Sequence, residues 1–239
     1  MGSLIFALVA FVGSHFLLSH PLRQPLVGLI GRRGFLGVYS LIALASLAWV
    51  IIAYAHAPTV FLWSPPAFFY PLTYVFMLAA MILLLGSLIQ PNPSMMHPGA
   101  AMADADAEAL HPALQGAPKP LHGVINITRH PMMWAFGLWA ISHALVNGDA
   151  ATVLLCLGIG ILALVGAALQ DRRKAAELGE EWQAFTRKTS YLPFGAQLSG
   201  RLAWRTIWPG WLVVVGGVCL FVAVGFFHQA LFGVPAFAA

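Results

Sequence analysis

Gly123-Val-Ile-Asn-Ile-Thr-Arg129-His130-Pro131-Met-Met-Trp-Ala-Phe-Gly-Leu-Trp-Ala-Ile-Ser-His143 decides how this chain is read. An arginine and a histidine stand at the mouth of an apolar helix, and a second histidine lies thirteen residues deeper than the first. Ionisable side chains inside a membrane helix are costly, so their presence there marks binding or chemistry. The surroundings put this helix in a bilayer. The chain is 60% hydrophobic and only 8% charged, with a mean hydropathy of +0.82, far from the average of soluble globular proteins.

Working outward, six apolar runs are candidate spans: 3–19, 34–55, 71–89, 131–146, 150–169 and 207–227. A helix needs about 20 residues to cross a bilayer; the fourth run is short, so it tilts little or thins the membrane locally. Open strands cannot cross lipid and the runs lack barrel-type alternation, which leaves helices. The expected fold is therefore all-α, a polytopic membrane helix bundle of about six transmembrane helices in one domain, 1–239.

All 12 Lys and Arg fall in the connections 21–33, 90–129 and 170–206, and none in 56–70 or 147–149. The positive-inside rule then predicts both termini outside and the basic loops in the cytoplasm. The net charge of +4 follows from that placement beside anionic lipid, so no nucleic-acid partner is needed. The first run has no basic n-region and no small-residue cleavage site, so it reads as a retained helix. Tyr54 and Trp63 on one side, and Trp204, Trp208 and Trp211 on the other, read as aromatic belts. Cys156 and Cys219 lie in spans and read as packed thiols.

Two cytoplasmic segments are expected. Segment 90–128 contains Pro91, Pro93, Pro98, Pro112, Pro118 and Pro120 and cannot keep a regular helix; it is either a linker or a lid over the mouth at Arg129. Segment 171–205 opens as a continuation of the fifth span, and Leu178, Trp182 and Phe185 at helical spacing predict an interfacial amphipathic helix.

Nine histidines carry most of the chemistry. His97 and His111 read as solvated, His228 as interfacial, and His20 and His122 as flanking span ends. His15, His56, His130 and His143 are the candidates for binding. A neutral imidazole in a bundle serves as a haem or nonhaem metal ligand, or as a hydrogen-bonded residue joining helices; spacing alone does not choose. Asp149 is the one acid near the outer ends, which argues against a di-metal carboxylate site, and no two histidines stand four residues apart.

Gly13-Ser-His15, Arg32/Arg33-Gly34, His56, Ile127-Thr-Arg129-His130-Pro131 and Trp139-Ala-Ile-Ser-His143 together resemble the NnrU family. That family groups bacterial membrane proteins named from denitrification loci with the 15-cis-zeta-carotene isomerase branch of plants. The resemblance implies an integral protein of the bacterial inner (cytoplasmic) membrane that binds haem b. It implies redox-dependent cis–trans isomerisation of a lipophilic polyene, with an electron donor to the haem. It also implies catalytic roles for His143, His15 and His130, cofactor contacts from His15, His56, Arg129, His130 and His143, and iron ligation by His15 and His143. Axial ligands of one iron need similar depth, and His143 lies about 20 Å beyond His130 at 1.5 Å per residue; His56 is therefore the rival partner of His143.

A wider resemblance is to membrane methyltransferases that use S-adenosylmethionine. It rests on Arg129-His130-Pro131 and on Gly179-Glu180-Glu181-Trp182-Gln-Ala-Phe185 with Leu192-Pro193-Phe194. A third reading is a haem protein that binds nitric oxide without turnover.

Overall fold

The computed structural model describes residues 1–94 and 122–237. The lid-or-linker reading of the Pro-rich loop, and the readings of His97 and His111, lie outside the described residues. The helices are α1 (Gly2–Ser19), α2 (Arg23–Ala55), α3 (Phe69–Ile89), α4 (Val124–Ile127), α5 (Pro131–Val146), α6 (Ala150–Leu178), α7 (Glu180–Lys188), α8 (Gly195–Leu198) and α9 (Trp211–Phe232). A 3-10 turn over Trp204–Ile207 precedes α9. Among the described residues, α1, α2, α3, α6 and α9 are long and apolar enough to cross a bilayer, and α5 is a shorter apolar helix. The all-helical bundle expected from the hydropathy is what the chain forms.

The boundaries differ from the hydropathy runs for identifiable reasons. α2 starts eleven residues earlier than the run beginning at Gly34, but it is broken at Gly31, where φ is 72° and ψ 165°. Glycine reaches that positive φ without a Cβ clash, so a basic entrance segment joins the straight apolar part at a bend. α6 is capped by Asp149, whose carboxylate accepts hydrogen bonds from the Ala151 and Thr152 amides. Its apolar part ends at Leu169; the charged remainder runs on to Leu178 and stops at Gly179 (φ 53°).

The helices pack in the order α2–α1–α6–α5–α3–α9. Small residues set the close approaches, as expected where lipid offers no hydrophobic drive between helices. At Gly217 of α9, a Cβ would come within 3.0 Å of the Ile82 backbone Cα of α3. The first core, around Leu4, Leu8, Phe11 and Val50, joins α1, α2 and α6; the second, around Ala80, Leu83, Val124, Ala135 and Val213, joins α3, α4, α5 and α9.

The two ends of the bundle are tied differently. At the end away from the basic loops, the 56–70 connection pairs with the turn before α6: Leu62 N–H donates to Gly148 O (2.7 Å) and Ala150 N–H to Val60 O (2.9 Å). At the basic end, α7 folds under the bundle. Trp182 and Phe185 are 1% and 3% exposed and pack on Ile125 of α4, with Leu178 alongside. The amphipathic pattern read from 171–188 is real, but its apolar face meets this chain's own α4 where lipid was expected, because the turn at Gly179 doubles α7 back toward the mouth.

Candidate functional site

Arg129, His130 and Asp171 meet at the basic end. Arg129 N–H donates to Ser190 O (2.8 Å), and Ser94 Oγ donates to Arg129 O (2.6 Å), so the backbone at the mouth of α5 is held from two loops. The Arg129 guanidinium reaches Asp171, two residues past the apolar part of α6, with Nε 2.7 Å and Nη2 2.5 Å from Oδ2. His130 Nε2 donates to the other carboxylate oxygen at 2.7 Å. Burial raises the Asp171 carboxyl pKa, but the hydrogen bonds and charges of His130 and Arg129 outweigh this and hold it below the ordinary carboxylate value. The His130 side chain is fully buried, and its Nδ1 has no hydrogen-bond partner among the described residues.

Tyr191 closes this cluster. Its carbonyl accepts from Thr128 Oγ1 (2.7 Å) and Trp134 Nε1 (2.8 Å), and its hydroxyl donates to Leu164 O (2.6 Å). Burial, then the Asp171 charge, raises the Tyr191 phenol above its usual value. Arg129 and His130 were expected at the cofactor or substrate; the partner the structure gives both is Asp171, a clamp between α5 and α6. Asp171 was not singled out from the sequence, although an acid just inside a basic loop is itself a signal for an ion pair.

Beside the clamp lies a cavity of about 550 Å³ between α1, α2, α5 and α6, within the range of small-molecule sites. Its walls are largely apolar, with Phe11, Phe16, Met133, Phe136, Leu162 and Ala163, and Ser19, His20, Gln170 and Arg173 gather at the basic end. His15 stands in the wall. Its Nδ1 donates to Phe11 O at 2.7 Å, and its ring lies against Phe11 and Tyr39 (4.5 and 5.5 Å between centres).

The other candidate histidines lie elsewhere. His143 is seven residues beyond Phe136 on α5, about 10 Å further along the helix. Its Nδ1 donates to Trp139 O at 2.9 Å, and its ring neighbours are Trp139 and His228. His56 caps the end of α2, exposed, with Nδ1 donating to Ile52 O at 2.8 Å. Among the described residues, no ring contact joins His15, His56 and His143 to one another, and no three His, Cys, Asp or Glu side chains group as a metal site. His15 and His143 are thus not brought together; their depths differ as the residue counts along α1 and α5 require.

The donor chemistry nevertheless fits haem iron. In His15, His56, His143 and His228 alike, Nδ1 is committed to a backbone carbonyl. That fixes the tautomer and leaves Nε2 with its lone pair, as a metal-ligating histidine requires. Among the described residues, none of these four Nε2 atoms has a hydrogen-bond partner. His228, read from sequence as interfacial, stands four residues from the end of α9, and His143 three residues from the end of α5.

The model of the family described as NnrU protein matches residues 3–236. Over 79 residues the chain is 37% identical to the chloroplastic 15-cis-zeta-carotene isomerase of Arabidopsis thaliana, covering 33% of this chain and 22% of that protein. It is 35% identical over 79 residues to the chloroplastic 15-cis-zeta-carotene isomerase of Zea mays, with the same shares of 33% and 22%. The aligned part therefore spans 22% of the length of these curated relatives. No solved structure matches the chain.

Proposed function

The chain belongs to the NnrU family, and from that premise we propose that it is a haem b-dependent membrane isomerase that rotates a cis double bond of a polyene taken from the bilayer. The observation that carries this reading is the cavity beside His15: largely apolar walls, a volume of about 550 Å³, and Ser19, His20, Gln170 and Arg173 gathered at the basic end. A polyene has no hydrogen bonds to offer, so a site for it needs apolar surface and an opening toward lipid. The likeness to the two plant isomerases supports the substrate class.

His143 would hold the cofactor through Nε2, since its Nδ1 is tied to Trp139 O. Bound haem b supplies a redox-active iron that can polarise a polyene double bond and lower its barrier to rotation, and an outside electron donor sets its oxidation state. The protein's own contribution is positional. Phe11, Phe136 and Leu162 exclude water and keep an extended hydrocarbon chain in line. The Arg129–Asp171–His130 clamp fixes α5 against α6, and with them the two walls of the cavity. Arg173 and His20 at the basic end can take a polar or anionic group at one end of a ligand.

The test is expression in a bacterial host that accumulates a cis-configured carotenoid, with the isomers resolved by chromatography. Conversion of the cis isomer by the chain, and its loss in His143→Ala, is the expected result. An unchanged isomer profile from a haem-loaded, correctly inserted protein refutes the activity.

A further inference from the structure

We propose that the basic end of the His15 cavity is a binding site for an anionic phospholipid, with the phosphate held at Arg173 and one acyl chain lying between α1, α2, α5 and α6. This goes beyond the isomerase reading and does not depend on haem; where both hold, lipid and polyene compete for one cavity.

The length and the walls suit an acyl chain. Along α6 the lining runs from Ile159 through Leu162, Ala163 and Gly166 to Arg173, about 21 Å at 1.5 Å per residue. One leaflet of hydrocarbon is about 15 Å deep, half of the bilayer core. A hydrocarbon polyene fills the apolar walls but sets nothing against Ser19, His20, Gln170 and Arg173 at the basic end. An amphiphile with a charged head uses both parts.

The charges decide the sign of that head. Asp171 is occupied by Arg129 and His130, which leaves Glu177 to face Arg173, with both carboxylate oxygens 3.1 Å from Nη1. Glu177 does not saturate the guanidinium: Arg173 Nε is buried and has no hydrogen-bond partner among the described residues. Lys174, the next residue, donates to Pro93 O at 3.0 Å and lies 5.2 Å from the centre of the Trp182 ring. Burial and the charges of Arg173 and Arg23 lower its pKa, outweighing Glu177 and Asp171. His20 is lowered likewise, by burial and then by Arg173. Cations from α2 and α6 thus repel one another at this end, and a phosphate relieves that repulsion.

The entrance also meets lipid. The part of α2 before the break at Gly31 begins at Arg23 and follows directly on the turn at His20. Leu22, Leu29 and Ile30 on this stretch are exposed. A basic helix with exposed apolar side chains lies among headgroups, so a phospholipid reaches the cavity without leaving the bilayer. Basic pockets between transmembrane helices hold anionic headgroups in this way.

The test is native mass spectrometry of the full-length protein released from detergent, after titration with phosphatidylglycerol and with phosphatidylcholine of the same acyl chains. The wild type is expected to retain one phosphatidylglycerol per chain and to prefer it by about fivefold or more, the effect of one basic side chain at an anionic surface. Arg173→Gln abolishes the preference and Arg173→Lys keeps it, so the readout follows charge and not folding. Arg187→Gln, at an exposed arginine of α7, leaves it unchanged. Gly166→Leu, which enters the cavity from α6, loses the retained lipid. Equal retention of the two lipids, a preference that survives Arg173→Gln, or an equal fall in Arg187→Gln overturns the site and leaves the isomerase reading standing. Retention unchanged in Gly166→Leu overturns the seated acyl chain. Displacement of the lipid by an added fatty acid or by haem assigns the basic end to a carboxylate and overturns the phosphate.

Discussion

Replacing Asp171 by asparagine isolates the charge that joins α5 to α6. Its carboxylate holds Arg129 through Nε and Nη2 (2.7 and 2.5 Å) and His130 Nε2 (2.7 Å). Removing one partner of a buried ion pair costs about 3–5 kcal/mol, because the remaining charge keeps its desolvation penalty. Here the Arg129 and Asp171 side chains keep 14% and 15% exposure, and asparagine retains one oxygen that can accept from one of the donors. The expected loss at neutral pH is therefore about 2–3 kcal/mol. It is measured by reversible denaturation in mixed micelles, against Arg129→Gln and the double variant to extract the coupling. The pH dependence has a defined sign. Because His130 and Arg129 hold the Asp171 carboxyl below its usual value, the contribution is complete above the unfolded carboxyl pKa of about 3.9 and is lost as pH falls through the folded value. The gap between wild type and Asp171→Asn thus narrows below about pH 4. A loss under about 0.5 kcal/mol at pH 7, or a gap unchanged by acidification, would refute the clamp.

Gly166→Leu puts a side chain into the cavity from α6, where a Cβ meets only Phe16 Cε1 at 3.7 Å; isomerisation should fall about tenfold or more, about 1.4 kcal/mol, in a chromatographic assay, with the haem spectrum unchanged. Gly148→Ala drives a Cβ into the Trp63 carbonyl and disrupts the pairing of Leu62 N–H with Gly148 O. Overpacking of this kind costs about 1–3 kcal/mol, visible as a lower unfolding midpoint. Asp149→Ala removes the acceptor for the Ala151 and Thr152 amides at the start of α6, a change worth about 1 kcal/mol in the same assay.

The fold class, the spans and the mouth at Arg129 were legible in the sequence because each rests on local composition or on charge counted along the chain. Apolar runs near the bilayer length specify helices whatever their neighbours, and lysines and arginines confined to alternate connections specify which ends meet. Even the depth difference between His15 and His143 is a count of residues at a fixed rise. What the sequence could not rank was proximity across helices. Asp171 finds Arg129 and His130, and His228 finds His143, only because α5 packs beside α6 and α3 lies between α5 and α9. Those neighbours are chosen by small residues such as Gly217 meeting the Ile82 backbone, and by loops that pair across the bundle ends. Likewise Trp182 and Phe185 were visible as an apolar face, but whether that face met lipid or protein depended on where Gly179 turned the chain. Sequence by itself determined the spans and the depth of every polar group within them; tertiary packing decided which of those groups share a partner, because contact between helices is set by shape complementarity that no single helix encodes.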